Sequence, residues 1–201
     1  MKRIGLTLLF SAALVFTGCK NENQTAADRV DEQTNMTQGK DDAGADDTSM
    51  ENRELTVNIE PRSGSNVSGT VTFQEENGEV TMTAEVSGLA EGMHAIHLHE
   101  NADCSAEDGS SAGGHWNPTF EDHGEWGDAN GYHRGDIGNF DVNSEGKGSI
   151  TFTTDKWCIG CEDKTRNILN KAVIVHDGVD DYTSQPSGNA GTRVGCAEIK
   201  E

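Results

Sequence analysis

The sequence predicts an all-β domain, a sandwich or a barrel with long loops, and three observations support this. Short runs rich in β-branched residues are broken by Gly, Asn and Asp, as in LTVNIEP (55–61), GTVTFQEENGEVTMTAEV (69–86) and GSITFT (148–153). Such runs are typical of strands and hairpins, and helix signals are scarce beside them. Two stretches with little periodicity, roughly 101–135 and 177–195, predict long irregular loops, which are usually functional in a compact domain.

The N-terminal stretch predicts an export signal over residues 1–18. Lys2 and Arg3 precede the apolar run IGLTLLFSAALVF, which ends in TGCK and is too short to be a stable membrane span. The ending resembles a bacterial lipobox, in which Cys19 becomes the lipidated first residue of the mature protein. Phe16 departs from that pattern, which usually has Leu there, so cleavage with release is the alternative.

A flexible acidic linker is predicted for residues 19–53. Residues 20–53 contain many acids and almost no large apolar side chains, so they cannot bury enough surface to offset the entropy lost on ordering. A spacer is favoured over a metal-gathering arm because the stretch holds no histidine and no second cysteine. The folded domain is therefore expected to cover residues 54–201.

The charge of the chain excludes two classes of partner. The formal net charge is −20, and removal of residues 1–18 leaves 13 Lys and Arg against 35 Asp and Glu, or −22. Nucleic acid and anionic membrane surfaces are therefore poor partners, and an anionic substrate would need local positive charge. The five cysteines suit an exported protein, since the four that remain beside a lipidated Cys19 can pair twice.

All seven histidines lie between residues 94 and 176, which favours a built site over scattered surface residues. In HAIHLHE (94–100), His97 and His99 are two apart in a predicted strand, so both project from one face and Leu98 from the other. His115, His123 and His133 follow in a Gly- and Asp-rich stretch with Asp136, and His176 ends the apolar run AVIVH.

This donor set predicts copper or zinc rather than calcium or magnesium, which prefer oxygen cages. The three histidines of the loop and Asp136 supply three nitrogens and one oxygen, a set appropriate to a closed tetrahedral zinc site. The strand histidines 97, 99 and 176 would form a second, nitrogen-only site suited to copper. Spacing alone leaves open whether the two sites share a residue.

Five blocks resemble the copper/zinc superoxide dismutases in order and approximate spacing: HLHE (97–100), SAGGHWNP (111–118), HRGDIGN (133–139), VIVH (173–176) and GNAGTRVGC (188–196). The resemblance covers roughly residues 54–200. It implies an eight-stranded antiparallel Greek-key β-barrel whose metal site lies outside the barrel under two long loops.

The resemblance also implies a role for each site residue. The implied copper ligands are His97, His99, His115 and His176, and the implied zinc ligands are His115, His123, His133 and Asp136, so that His115 bridges the metals. Asp180 would tie His97 to His123, which orients both rings. Asp181 is expected to be merely solvated, and His94 to form hydrogen bonds without binding metal. Arg193 would attract and orient the small anion, because its guanidinium stays charged.

The implied activity is conversion of superoxide to oxygen and hydrogen peroxide by alternation between Cu(II) and Cu(I). In the family, the bridging histidine, here His115, takes up a proton when copper is reduced, and zinc serves structure and tuning. With a lipid anchor on Cys19, the enzyme would protect the cell envelope from a periplasmic or outer-membrane-associated position. A homodimer and a monomer are both compatible with the sequence. The rivals are a non-enzymatic copper carrier, disfavoured because the full ligand set and Arg193 are present, and a structural lipoprotein domain.

Two cysteine pairs are predicted. The resemblance implies a disulfide between Cys104 and Cys196 that pins the first loop to the end of the barrel and so holds Arg193 in place. The segment KWCIGCEDKTRNILNK departs from the family's better-known members, and its Cys158 and Cys161 are predicted to form a local disulfide, with a labile redox or metal-acquiring pair as the alternative.

Two further departures concern the loops. One residue more than in the commonest spacing separates His123 from His133, and HRGD anchors the assignment of His133. The stretch before Arg193, YTSQPSGNAG, holds no lysine, so guidance of the substrate would rest on Arg193, the metals and cations from elsewhere such as Arg134.

Overall fold

The computed structural model describes residues 52–201, which form eight strands and one short 3-10 turn at Ser110–Ala112. The strands are β1 Arg53–Pro61, β2 Ser68–Glu76, β3 Glu79–Ser87, β4 Gly92–His99, β5 Gly138–Val142, β6 Lys147–Thr154, β7 Ala172–His176 and β8 Arg193–Glu198. Strand β1 begins one residue before the predicted domain start at 54. The predicted signal, the lipidation site Cys19 and residues 20–51 of the linker lie outside the described residues.

The eight strands close into a barrel in the order β1-β2-β3-β6-β5-β4-β7-β8, and each paired neighbour is antiparallel. Strand β4 does not pair with β3, its predecessor in the chain, but lies between β5 and β7. This order confirms the predicted all-β, eight-stranded Greek-key barrel. No helix within residues 52–201 combines the length and apolar character needed to cross a membrane.

The barrel interior is filled by alternate residues of the strands. Val71 and Phe73 of β2 face Met82 and Ala84 of β3 inside, each with no measurable exposure. The outer face carries threonine pairs across neighbouring strands, such as Thr56 with Thr72. This alternation is what half-buried antiparallel strands require, and it produces one apolar core behind the site.

Strand β4 is buried on both faces, which sets it apart from the other long strands. Ile96 and Leu98 point into the core, whereas His97 and His99 project from the opposite face and are covered by loops. The predicted parity of the two histidines is therefore confirmed. Next to β4, strand β7 has an irregularity between Val175 and His176, and such bulges re-aim the side chain that follows.

Three long connections leave the barrel. The first joins β4 to β5 (residues 100–137) and the second joins β7 to β8 (residues 177–192), close to the predicted stretches 101–135 and 177–195. The predicted second stretch ended too late, because β8 already begins at Arg193, which pairs with His176. The third connection, residues 155–171 between β6 and β7, contains the C-x-x-C segment and was not predicted as a long loop.

The third connection is anchored by a buried tryptophan. Trp157 is fully buried and packs among Phe73, Trp126 and Phe152, with ring centroids 6.4, 6.0 and 5.1 Å away. Its indole N–H donates a hydrogen bond to the carbonyl oxygen of Arg134 at 2.8 Å. The third connection therefore supports the end of the first loop.

Both predicted disulfides are present. Cys104–Cys196 ties the first loop to β8 over 92 residues of sequence, and closing a loop of that length contributes roughly 4 kcal/mol in the chain-entropy picture. Cys158–Cys161 closes a short turn inside the third connection. That turn is also held by main-chain hydrogen bonds, from Cys158 N–H to the Arg166 carbonyl at 2.9 Å and from Ile168 N–H to the Cys158 carbonyl at 3.0 Å.

The two disulfides should be reduced in a fixed order. Cys161 is partly exposed, whereas Cys104 and Cys196 are 8% and 1% exposed, and thiol–disulfide exchange requires access to a sulfur atom. Under native conditions a small dithiol is expected to open Cys158–Cys161 first, as followed by timed alkylation and mass spectrometry. In denaturant the order should disappear, and native labelling that began at Cys104 and Cys196 would contradict this prediction.

Candidate metal centre

Two groups of buried side chains lie side by side at one end of strand β4. The four-histidine cluster comprises His97, His99, His115 and His176, and the aspartate cluster comprises His115, His123, His133 and Asp136. Within each cluster, one ligand atom per residue lies within 4.8 Å of the others. The structure thus brings together all the residues predicted as copper and zinc ligands, with His115 in both groups.

The barrel supplies one side of the four-histidine cluster and the first loop supplies the other. His97 and His99 lie on β4, and His176 follows the irregularity at the end of the adjacent strand β7. The loop approaches β4 through an isolated bridge between His99 and His115. Trp116 N–H also donates to the Leu98 carbonyl at 2.8 Å, so main-chain bonds fix His115 against the strand.

Asp136 is the centre of the aspartate cluster. One carboxylate oxygen, Oδ1, lies 2.8 Å from His115 Nδ1 and 3.2 Å from His133 Nδ1, and the other, Oδ2, lies 3.0 Å from His123 Nδ1. Burial alone would raise the pKa of Asp136, but the close contacts of its carboxylate with the three imidazole rings outweigh burial and hold that pKa below its ordinary range. The carboxylate is therefore ionised and ready to bind a cation.

Each histidine of the two clusters has a bare ring nitrogen. Within residues 52–201 these buried nitrogens lack a hydrogen-bond partner: His97 Nδ1, His99 Nε2, His115 Nε2, His123 Nδ1, His133 Nδ1 and His176 Nε2. The Nδ1 atoms of His123 and His133 are close to Asp136 but lack hydrogen-bond geometry. Bare nitrogen lone pairs converging on two points are what copper and zinc bind, so the residues fit these metals.

Besides His115, whose Nδ1 is bonded to Asp136 Oδ1, four of the rings have the opposite nitrogen tied to an oxygen acceptor. The pairs are His97 Nε2 to Asp180 Oδ2 at 2.8 Å, His123 Nε2 to Asp180 Oδ1 at 2.9 Å, His99 Nδ1 to the Gly113 carbonyl at 3.0 Å and His176 Nδ1 to the Gly191 carbonyl at 3.4 Å. An N–H donated in this way selects the tautomer whose other nitrogen is free. Asp180 joins His97 to His123, as the resemblance implies.

Burial keeps three rings of the four-histidine cluster, those of His99, His115 and His176, neutral. Burial lowers the pKa of His99 and of His176 well below the ordinary value, and neighbouring imidazoles lower both further. Burial also lowers the pKa of His115 to about 4. His123 differs, because the carboxylates of Asp136 and Asp180 outweigh its burial and raise its pKa to about 9. A metal ion at the aspartate cluster must therefore displace a proton from His123.

Arg193 lies beside the four-histidine cluster at the start of β8. Its charge contributes to the lowered pKa of His99 and of His176, and its Nη1 donates to the Gly109 carbonyl at 2.9 Å. Burial lowers the pKa of Arg193 itself, against a smaller opposing effect of Asp108. A guanidinium nevertheless stays protonated, so Arg193 presents a fixed positive charge next to the bare nitrogens.

The link between the disulfide and Arg193 is less direct than expected. The carbonyl that accepts from Arg193 belongs to Gly109, five residues beyond Cys104. Ser111 bridges residues on either side of Cys104, since its hydroxyl donates to the Asp103 carbonyl at 2.8 Å and accepts from Ala106 N–H at 3.1 Å.

His94 and Asp181 form structural hydrogen bonds and belong to neither cluster. His94 lies outside both clusters, with its two ring nitrogens 3.0 Å from the carbonyls of His176 and Ala90. Asp181 is exposed, as expected, but its carboxylate also accepts hydrogen bonds from Thr183 and Ser184 and so builds a turn of the second loop. Sequence reasoning missed that turn, although D-x-x-S patterns are common in such side-chain-capped turns.

Comparison with known proteins decides the family. The family model described as copper/zinc superoxide dismutase (SODC) matches residues 67–199. The chain belongs to this family. It is accordingly an oxidoreductase of the superoxide dismutase type whose cofactors are copper and zinc, and superoxide is the substrate of the family.

Individual relatives agree with this membership. The chain is 34% identical over 144 residues to "Superoxide dismutase [Cu-Zn] 5" of Dictyostelium discoideum, covering 68% of this chain and 91% of the relative. It is also similar to crystal structures of a SOD-like protein from Bacillus subtilis. The match to a double mutant has a TM-score of 0.65 at 31% identity and covers 73% of this chain and 97% of the other. A further structure of that SOD-like protein gives a TM-score of 0.64 at 28% identity, covering 72% and 97%.

Replacement of Gly188 by alanine should weaken metal binding at the aspartate cluster. Gly188 has φ +64°, and an added Cβ would collide with Asp180 Oδ1 and lie 2.6 Å from His123 Nε2. Gly127→Ala is the matched control, because Gly127 also has positive φ (+90°) but open space where the Cβ would lie. Both changes should cost about 1 kcal/mol of backbone strain, measured by urea unfolding. Zinc content after dialysis should fall in Gly188→Ala alone, and equal zinc retention in the two variants would refute the prediction.

Proposed function

We propose that this protein is a superoxide dismutase of the cell envelope, with copper in the four-histidine cluster and zinc in the aspartate cluster. The supporting observation is the convergence of six bare, buried ring nitrogens on two adjacent points that share His115. An all-nitrogen set suits copper, and three nitrogens with one carboxylate suit zinc. The overall reaction consumes two superoxide ions and two protons and yields one oxygen and one hydrogen peroxide.

The metals and the residues around them have separate roles in the proposed reaction. Copper, when bound, supplies one-electron exchange, and zinc, when bound, supplies a fixed charge that holds the His115 ring. His115 faces the aspartate cluster with Nδ1 and the four-histidine cluster with Nε2. We assign Nε2 of His115 as the atom that holds a proton for the forming peroxide. Asp180 keeps the rings of His97 and His123 oriented throughout.

Arg193 provides the positive charge that an anionic substrate needs beside an acidic protein of net charge −20. Its hydrogen bond to the Gly109 carbonyl fixes the guanidinium in place, and the remaining N–H groups are available to a small anion. Preorganised donors of this kind act without reorganisation when the substrate arrives.

The proposed location rests on the export signal and on cysteine usage. Residues 1–18 and Cys19 lie outside the described residues, and the lipid anchor stays a prediction from the sequence. Two disulfides in the folded domain support an oxidising compartment outside the cytoplasm. A lipidated Cys19 with the linker 19–53 would tether the enzyme to a membrane of the cell envelope, where it would remove superoxide.

Arg193→Ala should lower dismutase activity roughly ten- to a hundredfold without changing copper or zinc content, because it removes the guiding charge and its hydrogen bonds. The measurement is superoxide removal by the metal-loaded protein, with metal content determined in parallel. Arg193→Lys should recover part of the loss, since it keeps the charge without the planar donors. Lys147→Ala, which removes an equal charge at an exposed site, is the control. Full metal occupancy in a wild-type protein with no activity would favour the copper-carrier hypothesis.

The rate should depend only modestly on ionic strength. The second loop, residues 177–192, contains no lysine or arginine, so long-range attraction is limited to Arg193, the metals and a few distant cations. Salt screens long-range attraction strongly and short-range contacts weakly. Activity measured between low and physiological salt should therefore change less than about threefold. A steep fall in rate with added salt would reveal a positive funnel elsewhere on the surface.

A further inference from the structure

His123 is held by its main chain as well as by its ring. The side-chain amide of Gln185, in the second loop, contacts both main-chain polar atoms of His123. Gln185 Oε1 accepts from His123 N–H at 2.8 Å, and Gln185 Nε2 donates to the His123 carbonyl at 2.9 Å. The Gln185 amide thus pairs with both the N–H and the carbonyl of His123, as a residue of an adjacent antiparallel strand would, because it offers one acceptor and one donor.

The other residues of the aspartate cluster are fixed by their own surroundings. His115 is bridged to His99 on the barrel. His133 and Asp136 are joined in one turn, where Asp136 N–H donates to the His133 carbonyl at 3.1 Å and His133 N–H to Asp136 Oδ2 at 2.8 Å. His123 instead lies in irregular chain between them, and its main-chain hydrogen bonds cross to Gln185, 62 residues away. The N–H of the next residue, Gly124, donates to Asp136 Oδ2 at 3.2 Å, so the position of His123 depends on the second loop as well as on Asp136.

The turn that presents Gln185 is closed by hydrogen bonds among residues 181–188, none of which is a proposed metal ligand. Asp181 accepts hydrogen bonds from the main chain of Thr183 and Ser184 at 2.9 and 2.8 Å, and from the Ser184 hydroxyl at 2.6 Å. Main-chain bonds between residues 181 and 188 and between 188 and 184, at 2.9 and 2.7 Å, close the turn. A side chain presented by such a preformed turn loses little entropy when it binds His123.

We propose that Gln185 is a positioning residue for zinc. It holds the His123 main chain while Asp180 holds the His123 ring, so that the bare Nδ1 of His123 points at the aspartate cluster. Loss of the amide would let the 117–131 segment carry His123 away from Asp136, and zinc would leave faster. This inference rests on the proposed zinc assignment and deepens it, because it names a second-loop residue that positions His123 of the first loop.

The test uses the full chain, stripped of metal and titrated with zinc. Gln185→Ala is expected to weaken zinc binding and to speed zinc release to a chelator by roughly tenfold, the lower end of the effects of residues that support metal ligands. Gln185→Met keeps the length and volume of the side chain without its hydrogen bonds and should show the same loss. Ser187→Ala changes the same loop at a residue with no hydrogen bond to His123 and is the control.

A second readout separates positioning from general support of the fold. Cobalt(II), bound in place of zinc, should give a visible spectrum with altered band positions and intensities in Gln185→Ala, because the His123 nitrogen moves. Copper binding by the four-histidine cluster should stay within about twofold of wild type, since the His97, His99 and His176 rings do not contact Gln185.

Four outcomes would overturn the inference. Wild-type zinc affinity in Gln185→Ala would remove the positioning role, and wild-type affinity in Gln185→Met alone would assign the effect to volume. Equal loss of stability in the metal-free and zinc-loaded forms, with an unchanged cobalt spectrum, would assign Gln185 to the fold. A wild-type chain that binds copper but no zinc would instead overturn the zinc assignment, and with it this proposal.

Discussion

The site depends on six imidazole rings that must present a bare nitrogen to the metal and stay oriented inside a buried space. Burial removes the water that would solvate a protonated ring, so a charged imidazole is unfavourable there. The pKa values of His99, His115 and His176 are lowered for this reason. Neutral rings bind metal only when the correct nitrogen is bare, so most need an acceptor for the opposite N–H. The two carboxylates and the carbonyls of Gly113 and Gly191 meet this need.

These acceptors come from chain segments that the barrel alone does not position. Strand β4 offers a rigid base, because Ile96 and Leu98 lock its inner face into the core. The loops are joined to one another and to β8 through a few bonds between a side chain and a main-chain group: Trp157 to Arg134, Arg193 to Gly109 and Gln185 to His123. Each bond joins two different connections, or a connection to a strand, so the loops act as one covering layer over the histidines.

Much of the fold, and the residues that the structure brings together in the two clusters, could be predicted from the sequence. The strand runs, the parity of His97 and His99 and the spacing of the histidine blocks are local patterns, and the resemblance supplied the shared role of His115. The missed features are not local. Nothing near Gln185 in the sequence signals that its amide pairs with His123, and Gly109 contributes only a carbonyl, which every residue has. The start of β8 was missed because the segment around it is rich in glycine, which is not typical of a strand. Its first residue, Arg193, pairs with His176, which is distant in the sequence.

Hydrogen bonds between residues far apart in the sequence also determine when the site can assemble. Gln185 lies 62 residues from His123, Asp180 lies 83 from His97, and Arg193 lies 84 from Gly109. Contacts of such sequence separation require large loops to close first, and they slow folding relative to hairpins such as β2–β3. The local hairpins would then form early and the metal ligands would converge last. A newly made chain would therefore pass through a period with a nearly complete barrel and no competent binding site.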